Sequence, residues 1–306
     1  MRMWSVLAGV TLAWGVVSTA AAENGLERFE REIKPQITLD KFTYGKAEPL
    51  GDAGFVLTDV VAVIPKNDGA GSPASTLKIE KVTVEALDFD RLKDSDGDSL
   101  PRFANIKLQG MTGDEAMTQL LTPYGIPAKP ADITFDYRLD VDKKVLTLNK
   151  LEVSLRDLSR LSLSLVMDGI SDKASEMEGA KDDGRLRTAA LTLEDNGLAA
   201  KLLTAIAQQQ GGSPDSMVAL ALLSIASFSA GQGPETQASL DAVASFVGDW
   251  QAPKGPLVIT LKPTKTASMA DLNRFMEPNA LKDIFGFGAT YPGTRAGAAT
   301  AGPAAK

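Results

Sequence analysis

Leu161-Ser162-Leu163-Ser164-Leu165 alternates large apolar and small polar residues, and Val166-Met167 carries the run on. Only a strand with one face buried and one face wet gives a period of two of this kind. The same reading extends over most of the chain between Ile37 and Ile170. Ile37–Tyr44, Phe55–Ile64, Leu77–Phe89, Phe103–Leu108, Ile133–Val141 and Val145–Leu155 are rich in apolar and β-branched residues and are separated by Gly, Pro, Asp and Asn clusters. Within Val145–Leu155 the alternation slips at Asn149-Lys150, which predicts a bulge or a tight hairpin there. A strand returns at Leu186–Leu193, and another at Leu257–Leu261.

Helices dominate the interval between those last two strands. Asn196-Gly197 starts a helix over residues 198–210, and Ser213-Pro214-Asp215 starts a second, with Ser to cap and Pro suited to the first turn. Its body, Met217–Phe228, lies in a stretch without charge from Ser216 to Pro234. Apolar nearly all round, it is expected either to sit in the core or to line an apolar groove. A third helix begins at Gly233-Pro234-Glu235, with Leu240, Val243, Val247 and Trp250 on one stripe. Ser268 and Asp271 form a variant capping box before a short helix, and Pro278 opens another that ends at Phe285-Gly286. The predicted class is α+β: a curved, mostly antiparallel sheet with helices packed on one face.

The ends have their own character. Arg2, the apolar run Ser5–Val17 and Thr19-Ala20-Ala21-Ala22 read as a secretory signal peptide cleaved after Ala22. The apolar stretch is short for a bilayer span, which needs about 20 residues, and no other segment reads as a span. The expected division is a signal peptide over 1–22, a β-rich region over 23–184, a helical region with returning strands over 185–291, and a disordered Ala/Gly tail over 292–306. Segment 171–184, polar and charged, is the expected boundary or flap.

Absences bound the function. There is no cysteine, so disulfides and a lipid-modified cysteine are impossible, and an exported chain without cysteine fits a bacterial periplasm. There is no histidine either, which rules out Ser-His-Asp, Cys-His and His-ligated zinc sites. The formal net charge is −7, a poor match to nucleic acid or to anionic lipid surfaces.

Three local patterns suggest chemistry without carrying it. Asp94, Asp96 and Asp98 alternate like the start of a calcium loop, but Ser99 and Asn105 stand where that loop needs Gly and Glu. A solvated turn is the expected structure, with weak calcium binding as the alternative. Ser75 and Lys78 match S-x-x-K, but within a strand they point to opposite faces. Carboxylates are plentiful, yet no spacing marks a hydrolytic pair, and aromatic residues make up only 6%. Accordingly no catalytic residue, cofactor or metal is assigned, and the chain is expected not to be an enzyme.

Two stretches, RLRTAALTLEDNGLAAKLLTAIAQQQGGSP (residues 185–214) and GPLVITLKPTKTASMADL (255–272), resemble β-rich bacterial periplasmic and envelope proteins, distantly of the AsmA type. This resemblance implies an extended curved sheet and a role in handling lipid, and no binding residue can be carried over from it. The expected function is to hold an apolar ligand, a lipid, between sheet and helices. Met217, Leu220, Leu223, Phe228, Val243 and Val247 are the groove candidates. The alternative is an envelope scaffold that contacts a protein partner through segment 171–184 or a sheet edge, and a carboxylate-based hydrolase is a distant third.

Overall fold

A computed structural model describes residues 23–65, 74–92, 98–114, 118, 121–176, 183–275, 277 and 279–294. The expected signal peptide therefore lies outside the described residues, as do Asp94 and Asp96, residues 177–182 of the charged loop and the tail beyond Thr294.

Among the described residues twelve strands build one antiparallel sheet. They are β1 Lys41–Thr43, β2 Lys46–Leu50, β3 Gly54–Ile64, β4 Ser75–Leu87, β5 Phe103–Gly113, β6 Ala131–Asp140, β7 Val145–Leu155, β8 Ser159–Asp168, β9 Arg185–Asp195, β10 Leu257–Leu261, β11 Ala267–Ser268 and β12 Phe287–Thr290. From β3 to β10 each strand pairs with the next in sequence, and β12 closes the series beside β10. This is a large open meander. At one end β1 and β2 lie in a single register along the same edge of β3, with Lys41 opposite Val63 and Lys46 opposite Thr58. The strand expected at Ile37–Tyr44 thus starts later and resumes after a break at Tyr44-Gly45. A Cβ on Gly45 would press against the Asp59 carboxylate, so glycine suits that crossing. Pro49 lies in β2, at the edge of the sheet, where a missing N–H costs least.

The bulge expected at Asn149-Lys150 is present. Register slips between Leu148 and Leu151 against β8, and between Asp136 and Tyr137 against β7. Further slips occur between Val84 and Ala86, Leu108 and Met111, and Val166 and Met167. Each bulge bends its strand and adds local twist.

Two packed clusters sit at opposite ends of the strand series. In the first, a helical run of three geometries covers β3 and β4: α1 is α-helical over Gly25–Arg28, and the chain continues as π over Phe29–Ile33 and 3₁₀ over Lys34–Gln36. Asn24 and Glu27 cap it reciprocally. Phe29 stacks on Phe55 at 4.5 Å between centroids, and Leu57, Val60, Ile79, Val84 and Phe89 complete this core. Phe89 opens the single turn α2, Phe89–Leu92. The sequence reading missed α1. Its signal, Leu26, Phe29 and Ile33 at helical spacing behind an N-x-x-E cap, is diluted by five intervening charges.

The second cluster involves the helices α3 Leu198–Gln209, α4 Pro214–Ser229 and α5 Pro234–Gly248. Val243 and Phe246 of α5 pack with Leu257, Ile259, Ala289 and Tyr291. After α5 come the Ser268/Asp271 capping box, as expected, and the turn α6, Ala280–Asp283. The four residues of β12 then follow, where no strand was expected.

Helix α4 requires a correction. It is not buried on all sides: Val218 is buried, whereas Leu220 and Leu223 are 65% and 63% exposed. The cause is composition. Alanine and serine occupy much of its circumference, so the helix is uncharged without carrying enough apolar area to demand a full coat. The charged loop also proves partly anchored. Leu100 N donates to Asp172 O at 2.7 Å, Arg91 pairs with Asp172 at 2.8 Å, and Ser99 bridges Lys173.

Candidate ligand site on the apolar face of the sheet

Directly opposed residues in neighbouring strands project from the same face of a sheet. Tracing those pairs across the molecule gives an unbroken row: Phe55, Val84, Ile106, Phe135, Leu151, Leu163, Leu191, Ile259 and Ala289. A parallel row runs through Leu57, Val82, Leu108, Ile133, Val153, Leu161, Leu193 and Leu257. On the other flank a third joins Leu87, Ala104, Tyr137, Leu148, Leu165, Ala189, Leu261 and Phe287. The row between the first two, Thr83, Lys107, Thr134, Glu152, Ser162, Thr192, Val258 and Thr290, points the other way and is almost wholly polar. One face is thus apolar over nine strands, a span of about 38 Å at the usual inter-strand spacing.

Burial along this face is uneven. At its ends Phe55, Leu57, Val84 and Leu257 are 5% exposed or less, because the two packed clusters cover them. Midway, Val153 and Leu161 face each other across β7 and β8 at 39% and 41% exposed. Leu108, Ile133, Phe135, Leu151, Leu163, Leu191 and Leu193 are half-buried. The LSLSL pattern that marked β8 as one-sided therefore contributes the most open part of the apolar face.

The six groove candidates do not converge. Met217 and Val247 line an apolar cavity of about 300 Å³ between the three helices, with Leu203, Val218, Phe246 and Trp250. Val243 belongs instead to the cluster against β10 and β12. Phe228 is half-buried, and neither it nor Leu220 nor Leu223 lines that cavity. Leu220 and Leu223 project to the outside of α4.

Buried carboxylates serve the fold. Asp88, 2% exposed, accepts from Arg102 Nε at 2.6 Å, Nη2 at 2.9 Å and the Arg102 backbone N–H at 2.9 Å. Burial pushes its pKa up, but the hydrogen bonds and charge of Arg102 outweigh this and hold the carboxyl below the usual range. Asp195 accepts from the backbone N–H groups of Gly197 and Ala199 and so caps α3. Of the three aspartates in the calcium-like turn, Asp98 accepts from Ser175 N at 2.7 Å and Ser175 Oγ at 3.0 Å, which ties it to the charged loop. Among the described residues no group of three acidic, His or Cys side chains is placed to hold a metal ion. Ser75 and Lys78 both lie in β4, three residues apart in one strand and hence on opposite faces.

The model of a family described only as "Uncharacterized protein" matches residues 152–292, a span from β7 through β12 that includes all three long helices. No curated protein matches the chain. Among the described residues no helix is long and apolar enough to cross a membrane.

Proposed function

We propose that this protein holds an apolar ligand, an acyl-chain lipid, against the apolar face of its sheet and performs no chemistry on it. The observation that carries this reading is the set of apolar rows, one of them continuous across nine strands, while Val153 and Leu161 stay open in the middle. Isolated exposed leucines are ordinary; a continuous apolar face with an uncovered centre favours an occupant. Contacts from helical segments at both ends support this reading. Phe29 touches Phe55, and Val243 and Phe246 touch Ile259 and Ala289, and those sheet residues belong to a single row. In this reading the helices pack on one face of a curved sheet and leave a trough between them. An acyl chain laid there gains about 25 cal/mol for each Å² of apolar surface removed from water. The leader-like N terminus and the envelope resemblance support a periplasmic location, where lipid must cross water. Mass analysis of solvent extracts from the purified protein tests the reading. Bound acyl lipid in near-stoichiometric amount is expected; ligand-free protein that ignores added acyl probes refutes it.

A second reading rests on α4. An uncharged helix that exposes Leu220 and Leu223 is also suited to a protein partner in the envelope. Replacing both leucines by serine separates the two: loss of a cross-linked partner with lipid content unchanged favours the scaffold reading, and the reverse counts against it.

A further inference from the structure

Where the apolar rows reach the ends of β4 to β7, they open into a chamber of about 300 Å³. Leu77, Met111, Leu121, Ala131 and Leu155 line it. Met111, Ala131 and Leu155 oppose one another across β5, β6 and β7, and Leu155 stands two residues beyond Val153 on the same face. The chamber is therefore continuous with the open apolar face. Among the described residues one charged residue lines it, Lys129. Its Nζ pairs with Asp157 Oδ2 at 3.1 Å, with the two side chains 38% and 81% exposed. An ion pair so exposed contributes little, so an incoming anion can take the place of Asp157 at small cost.

An apolar chamber with the Lys129 side chain at its wall fits an amphiphile with a negatively charged head. We infer that it binds a fatty acid, with the hydrocarbon chain on Leu77, Met111, Leu121 and Leu155 and the carboxylate on Lys129. One ammonium balances one carboxylate, whereas a phosphomonoester brings nearly two charges. This inference rests on the apolar-ligand reading above and names the head group that reading leaves open.

Titration calorimetry of the full chain with laurate and with dodecanol, which share a chain length and differ in charge, tests it. Laurate is expected to bind about two- to fivefold more tightly than dodecanol, with the preference shrinking as salt is raised. Lys129→Gln should abolish the preference and leave dodecanol affinity unchanged. Asp157→Asn removes the internal competitor and should strengthen laurate binding. Asparagine tolerates the left-handed backbone at that position, φ 63°, so the fold is preserved. Equal binding of the two probes to the wild type, or a preference that survives Lys129→Gln, overturns the carboxylate site alone. Failure of both probes to bind overturns the apolar-ligand reading itself.

Discussion

At Gly110 the backbone adopts φ 67°, and a Cβ would collide with the carboxyl group of Glu80. Glu80 lies across that gap to reach Arg156 Nη2 at 3.0 Å, and the same guanidinium grips Asp132 at 3.0 Å. Asp132 in turn accepts from Gly110 N at 2.6 Å. The hydrogen bonds that Arg156 donates to Asp132 and Glu80 raise its pKa. Gly110→Ala is therefore expected to lose more than the ~1–2 kcal/mol that a left-handed alanine costs by itself, read by urea unfolding. Asp88 gives a pH signature. Its folded pKa is depressed, so its contribution is present above the unfolded value of about 3.9 and is lost as pH falls through the folded value. Asp88→Asn should lower stability by about 1–3 kcal/mol at neutral pH and flatten the loss below about pH 4. The flattening is partial, because Asp132, Asp98 and Glu32 are depressed as well.

At the scale of elements, periodicity and capping were legible and burial was not. Alternation placed β3 through β9 to within a few residues, and the slip at Asn149-Lys150 located a bulge that the register confirms. Ser213 does cap α4, accepting from Ser216 N. What α4 packs against could not be read, since an Ala/Ser-rich helix is uncharged whether or not anything covers it. The two sides of α4 should respond differently to substitution. Val218→Ala is expected to cost about 1–2 kcal/mol, whereas Leu220→Ser and Leu223→Ser together should shift stability by less than about 0.5 kcal/mol per site. Denaturant midpoints measured on the full chain check both. The site itself was hidden for a related reason. Each strand announces its own apolar face, but which leucines line up depends on register across nine strands, and register is set by bulges and turns rather than by any one segment. Thus the candidates taken from α4, Leu220 and Leu223 above all, lie outside the surface that pairing assembles, whereas Val243 of α5 packs against its end.

Over the whole molecule, the two packed clusters account for the ends of the sheet and leave its middle half-covered. A sheet stable in water with one apolar face usually buries that face against another layer. Here β6, β7 and β8 contribute apolar rows that neither cluster includes. An occupant would supply the missing layer, and the export proposed above would bring the protein to where lipid must cross water. N-terminal sequencing of material secreted to the periplasm should begin at Glu23. Leu161→Asp places a charge in the open centre, where exposure keeps the cost to folding near ~1 kcal/mol. The most direct test is lipid mass analysis of solvent extracts from wild-type protein and from Leu161→Asp purified side by side. Acyl lipid in the wild-type extract and its loss from the folded variant is the expected result; two folded proteins with equal lipid content, or with none, would contradict a ligand on this face.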